Sequence, residues 1–144
     1  MDYLSKKEEE TLSLGAKIAK TVIGGEIFAL TGDLGTGKTT FVKGFARSLG
    51  IEKQITSPTF NIIKVYPVQF KNIKRLVHVD AYRLNSPEDL ISIGLEELFS
   101  DSTNIAIIEW PEHIWGAIEK RAQIITFTFI DENTRKITFS TKWN

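Results

Sequence analysis

Residues 26–50, EIFALTGDLGTGKTTFVKGFARSLG, run from an apolar segment through a glycine-rich turn into an amphipathic stretch. Within it Gly32-Asp33-Leu34-Gly35-Thr36-Gly37-Lys38-Thr39 fills every fixed position of the pattern G-x-x-x-x-G-K-S/T. The glycines let the backbone bend so that successive N–H groups can face phosphate oxygens. Lys38 supplies a mobile positive charge for the β and γ phosphates, and the Thr39 hydroxyl stands where it can ligate Mg²⁺. The helix opened by this turn adds the positive end of its dipole. A glycine turn that merely caps a helix is the plain alternative. The flanks argue against it: Ile27 to Leu30 reads as a buried strand, and Phe41, Val42, Phe45, Ala46 and Leu49 recur at helical spacing before Gly50.

The whole chain has 144 residues and 42% hydrophobic content, which predicts a single domain over residues 1–144. Lysine plus arginine and aspartate plus glutamate balance at 18 each, so no net field draws the chain to nucleic acid or to an anionic membrane. Contact with RNA is therefore expected to be local or through a partner. The absence of cysteine removes disulfides, thiolate metal sites and cysteine nucleophiles. The charged start MDYLSKKEEE carries no apolar core of a signal peptide, no run approaches a membrane span, and a cytoplasmic location is expected.

Ahead of the phosphate loop, Ser5-Lys6-Lys7-Glu8 has the spacing of a capping box, and an amphipathic helix is predicted from there until Gly24-Gly25. Thr11 in that helix reads either as a solvated residue or as a contact to the base or ribose. Beyond Gly50, Ser57-Pro58-Thr59-Phe60 is a defined loop, in which Ser57 and Thr59 either satisfy local backbone or sense the γ-phosphate. Phe60 to Tyr66 and Ile73 to Asp80 read as an antiparallel strand pair, with Pro67 to Asn72 as their connection. Period two puts His78, Asp80 and Tyr82 on one face of the second strand. Ser86-Pro87-Glu88-Asp89 opens a short helix that Gly94 interrupts. Asn104 to Ile108 is continuously apolar, as in a strand buried on both faces, and ends in Glu109-Trp110-Pro111-Glu112. A short helix is expected after Pro111, and then a hairpin of Gln123 to Ile130 and Lys136 to Thr141. Together these elements predict an α/β fold of the P-loop NTPase kind, three-layered, with a mixed central sheet between helices.

A phosphate loop works with an acid at the end of a neighbouring strand. Glu109 has the better strand behind it and is assigned to Mg²⁺ with Thr39; Asp80 is assigned to the attacking water or to a second position around the metal. With Lys38 they form the expected catalytic set. His78 is read as a hydrogen-bonded core histidine, and Trp110 as core in preference to a gate over the site.

The blocks GDLGTGKTTFVKGFARSLG, SPTF with the extended run to Tyr66, HVDAYRL and IEWPE resemble, in order and spacing, the signatures of the bacterial tRNA threonylcarbamoyladenosine biosynthesis protein TsaE family, the YjeE-type ATPases. The resemblance implies an Mg²⁺-dependent ATPase that serves formation of threonylcarbamoyladenosine at adenosine 37 of tRNAs reading ANN codons. It implies TsaD-like and TsaB-like partners, with tRNA met mainly through their complex. Thr39 and Glu109 would hold Mg²⁺, Asp80 would be needed for hydrolysis, and Gly35, Thr36, Gly37, Lys38, Thr39 and Thr40 would line the phosphates. Thr11 would lie by the nucleotide, and Arg135 resembles a position near it. Ala81 stands where that family usually has leucine, and His113 where a basic residue often follows. The residues alone also allow a small-molecule or nucleotide kinase, though no arginine-rich lid stands between Asp80 and Glu109. A nucleotide-sensing module without turnover is a further reading, and a GTP switch lacks its N-K-x-D base-recognition sequence.

Overall fold

The computed structural model describes residues 1–33, 35–56 and 62–140. Leu34, the loop of Ser57, Pro58, Thr59 and Phe60 that reads either as satisfying local backbone or as sensing the γ-phosphate, Asn61, and residues 141–144 lie outside the described residues. The elements, in chain order, are β1 (Asp2–Ser5), α1 (Glu8–Thr21), β2 (Ile27–Thr31), α2 (Lys38–Ser48), β3 (Ile63–Phe70) and β4 (Ile73–Asp80). There follow α3 (Glu88–Ser92), α4 (Leu95–Ser100), β5 (Asn104–Glu109), a 3-10 turn (Pro111–Ile114), α5 (Trp115–Ile118), β6 (Ala122–Phe129) and β7 (Arg135–Ser140).

Seven strands form one sheet in the order β1-β7-β6-β2-β5-β4-β3. Its centre is parallel: β2 lies between β5 and β6, and β5 pairs with β4. The edges are antiparallel, through β3 on β4 and through β7 on β6 and β1 on β7. Because β2, β4 and β5 run the same way, Thr31, Asp80 and Glu109 all finish at one edge of the sheet, where open α/β sheets place their ligands.

Alternation along the strands sorts side chains into two cores. Phe28, Leu30, Leu76, Ile105 and Ile107 face α1 and α2, whereas Ile27, Ala29, Val77, Val79, Ala106 and Ile108 face α3, α4 and α5. This is the expected three-layer mixed α/β fold. The first core is rich in aromatic contacts, with Phe28 edge-on to Phe45 and Phe41 edge-on to Phe127 at centroid distances of 5.6 Å. Full burial of each such ring contributes about 1.5–3 kcal/mol.

α1 and α2 approach unusually closely because two glycines face the join. A Cβ on Gly15 would collide with the Phe41 carbonyl oxygen, and one on Gly44 with the Leu12 carbonyl oxygen. Only glycine permits that backbone contact, which places Thr11 of α1 against Gly37 at the mouth of the phosphate loop. At the other end of α1, the Lys71 ammonium donates to the carbonyls of Lys20 and Val22, a cation where the helix leaves carbonyls without partners.

One strand was unforeseen and two expectations are corrected. Asp2–Ser5 forms a strand on β7, too short and too polar to announce itself in sequence. Ser5 does not cap α1 through a box with Glu8: its hydroxyl donates to the Lys7 carbonyl and pairs with Thr11 Oγ1 at 2.6 Å, while Glu10 accepts from the Lys6 N–H. Pro67 to Asn72 is not a connection. β3 continues through Pro67 to Phe70, because β3 is an edge strand where the missing N–H costs no ladder bond and a bulge takes up the irregularity.

Candidate functional site

The phosphate loop joins β2 to α2, and its glycines adopt the backbone that the pattern demands: φ is 139° at Gly32, 77° at Gly35 and 98° at Gly37. Gly37 is the N-cap of α2, an eleven-residue helix, so the loop's N–H groups and the helix dipole face the same space. That space is a cleft of about 800 Å³. Its floor is the loop, through Gly35, Gly37, Lys38, Thr39 and Thr40. The ends of β4 and β5 form one wall, with Asp80, Tyr82, Glu109 and Trp110. The turn into α1, with Ser5, Lys7, Glu8 and Thr11, and the β6–β7 hairpin, with Glu132, Asn133 and Arg135, complete it.

Nine of the ten expected site residues therefore meet in one cavity, from elements as far apart in sequence as α1 and β7. Thr36 is the exception. Its side chain is buried and donates to the Asp33 carbonyl at 2.6 Å, bracing the loop from within, so its backbone is what it can offer a phosphate. Thr11, for which sequence favoured a solvated position, is buried at the cleft wall. Arg135 opens β7 and reaches the Gly35 carbonyl at 3.3 Å, while other donors on its guanidinium hold the Asp131 and Glu132 carbonyls.

The charges are segregated. Lys38, 7% exposed, donates to the Gly32 carbonyl at 2.7 Å and lies 4.5 Å from the centre of the Trp110 ring. Asp80 and Glu109, each 5% exposed, are register partners on adjacent parallel strands. Asp80 Oδ1 accepts from the Tyr82 N–H at 2.9 Å; Glu109 Oε2 is 2.8 Å from His78 Nε2. Among the described residues no group of three or more histidine, aspartate or glutamate side chains could hold a metal unaided. The Thr39 hydroxyl and the Glu109 carboxylate, with Asp80 beside it, are nevertheless hard oxygen donors, which suit Mg²⁺ shared with phosphate oxygens. The residues fit that ion.

Trp110 is not core. It lies half-buried in the cleft wall with φ of 56°, a left-handed backbone that a bulky side chain rarely takes, and its ring meets Lys38 on one side and Tyr82 edge-on at 5.2 Å. Pro111 directly after it starts the 3-10 turn, and the sharp exit from β5 aims the indole at the loop. The contacts of two further residues escaped the sequence reading. Glu112 accepts from the Thr31 hydroxyl at 2.7 Å, tying the 3-10 turn after β5 to the end of β2. His113 Nδ1 lies 2.8 Å from the Leu84 carbonyl and its ring stacks on Tyr82, whereas Ala81 is buried in the second core. His78, expected as a core histidine, is fully buried as foreseen, but its partner is the site carboxylate. The shared face of His78 and Asp80 was legible; the Glu109 contact was not.

A glycine loop between a central strand and its helix, with acids on the neighbouring strand ends, defines a protein of the P-loop α/β class. The comparisons narrow the class. The family model for the threonylcarbamoyl adenosine biosynthesis protein TsaE matches residues 5–137. The TsaE of Treponema pallidum is 35% identical over 138 residues, covering 96% of this chain and 98% of that protein. The TsaE of Borreliella burgdorferi is 39% identical, covering 86% and 87%. The crystal structure of Bacillus subtilis YdiB superposes with a TM-score of 0.81 at 31% identity, covering 97% of this chain and 84% of that one. The chain belongs to the TsaE family of threonylcarbamoyladenosine biosynthesis proteins. No described helix is long and apolar enough to cross a membrane.

Proposed function

We propose that the chain is an Mg²⁺-dependent ATPase whose turnover serves formation of threonylcarbamoyladenosine on tRNA, working with TsaD-like and TsaB-like partners and meeting tRNA through them. The observation that carries the ATPase reading is the convergence of Lys38, Thr39, Asp80 and Glu109 in one cleft over the N-terminus of α2. Loop N–H groups and the Lys38 ammonium hold the phosphates, and that charge grows in value as the γ-phosphoryl group loosens from ADP. The Thr39 hydroxyl and the Glu109 carboxylate would hold Mg²⁺, which would supply neutralisation of phosphate charge. Asp80 orients a water in line with the γ-phosphorus. The water oxygen forms the new P–O bond, the bond to the β-phosphate oxygen breaks, and the water proton leaves through Asp80 to the released phosphate. Trp110, packed on Lys38, shields the loop from bulk water.

Phosphate release from Mg-ATP is the test, measured with the protein alone and then with both partners. Weak turnover alone that rises with the partners and disappears in Glu109→Ala is the expected result. Lys38→Ala lowers ATP affinity, whereas Glu109→Ala keeps affinity and loses turnover; equal loss of affinity in both variants overturns that division. Turnover that appears only with an added hydroxyl acceptor makes the protein a kinase.

A further inference from the structure

We propose that His78 is a positioning residue for the site, holding Glu109 in the orientation that its work on metal and phosphate requires. The inference rests on the reading that Glu109 acts at an Mg²⁺–phosphate site, and deepens it.

His78 stands in the middle of β4, two residues before Asp80, and is fully inaccessible to solvent. It does not line the cleft, so it does not touch what the cleft holds. Its Nε2 lies 2.8 Å from Glu109 Oε2, and among the described residues its Nδ1 has no hydrogen-bond partner. A carboxylate oxygen only accepts, so Nε2 carries the proton and donates it. In the neutral imidazole Nδ1 is then a lone pair, a buried acceptor rather than a stranded N–H.

Fold stability does not call for an imidazole here. Its strand neighbours Leu76, Val77 and Val79 are apolar and fully buried, as is Ala81 just beyond the strand, and an aliphatic side chain would serve the core without the cost of burying a polar ring. What the imidazole adds is a directed N–H on one oxygen of Glu109. Glutamate has three rotatable side-chain bonds, and at the end of β5 it needs such an anchor to aim its carboxylate at the cleft. Asp80, its register partner, receives the corresponding anchor from the Tyr82 N–H. Donors behind a ligating carboxylate are worth 10–100-fold in metal affinity or activity in general.

The test compares His78→Leu, which removes the N–H, with His78→Gln, whose amide carries one at about the same distance from the backbone. Two quantities are read in the full chain. One is the Mg²⁺ concentration at half-maximal turnover with partners present. The other is the Mg²⁺ dependence of binding of a non-hydrolysable ATP analogue, by calorimetry. His78→Leu is expected to raise the Mg²⁺ requirement about 10–100-fold in both readouts, with metal-free analogue affinity unchanged, and His78→Gln to recover most of it. In the Glu109→Ala background, His78→Leu adds nothing further. Should His78→Leu not fold, His78→Asn against His78→Gln carries the same comparison, since the shorter amide points its N–H from the wrong position. An unchanged Mg²⁺ requirement in His78→Leu, or equal impairment in Leu and Gln, overturns the proposal. Wild-type protein that shows Mg²⁺-dependent analogue binding but never turns over defeats the ATPase reading alone, and the binding readout still decides the role of His78. Wild-type binding indifferent to Mg²⁺ overturns both.

Discussion

The two faces of the sheet are built from the same strands and differ in almost everything else. The face under α3, α4 and α5 is apolar along β4 and β5, through Val77, Val79, Ala81, Ala106 and Ile108, and its helices are only five, six and four residues long. The face under α1 and α2 carries helices of 14 and 11 residues pressed together at Gly15 and Gly44, and its rows end in polar groups: Leu76, His78, Asp80 and Ile105, Ile107, Glu109. Short helices suffice to cover an apolar surface, because burial is non-directional. A site needs fixed directions, and long helices locked by backbone contact supply them.

That contrast can be broken by experiment. The largest effect is expected from Leu95→Ala on the first face, fully buried and not among the residues lining the cleft: a loss of about 2–5 kcal/mol in stability by denaturant unfolding, with ATP affinity in the folded protein unchanged. Gly44→Ala on the second face costs less stability, about 1–3 kcal/mol, but forces α1 away from α2 and so moves Thr11 from Gly37. Its ATP affinity should fall. If both variants leave affinity alike, the faces do not divide as described.

Smaller effects sharpen the comparison at the rims. Asp131 in the β6–β7 hairpin accepts from the N–H groups of Asn133 and Thr134, which lower its pKa below the ordinary aspartate range. Asp101, ahead of β5 at the opposite edge, is lowered likewise by the Thr103 hydroxyl and N–H, with Arg75 beside it. For both, a depressed folded pKa contributes stability that is present above the unfolded value and is lost as pH falls through the folded one. Thermal midpoints of Asp131→Asn and Asp101→Asn should therefore lie slightly below wild type at neutral pH and converge with it in acid. Only Asp131→Asn should also weaken nucleotide binding, because its hairpin carries Arg135 against Gly35.

Much of this was legible in order along the chain. The strand, glycine loop and helix of residues 26–50, the doubly buried β5, the β6–β7 hairpin and the acids ending β4 and β5 are each stated by local period and residue type. Where the reading failed, a residue's role depended on its neighbour across space. Pro67 looks like a break until β3 proves to be an edge, Trp110 looks like core until the turn at Pro111 aims it at Lys38, and Ser5 looks like a cap until β1 pairs with β7.

By itself, then, the sequence determined a P-loop α/β chain with its phosphate loop and two strand-end acids, because hydrophobic period and glycine backbone chemistry act over a few residues. Family resemblance pointed to Thr11 and Arg135; tertiary structure alone decided that Arg135 reaches the Gly35 carbonyl, that α1 lies close enough to bring Thr11 to the loop only through Gly15 and Gly44, and that His78 holds Glu109. Those contacts join residues 31 to 100 positions apart or meet only where two helices touch, and no local pattern encodes a distance across a fold.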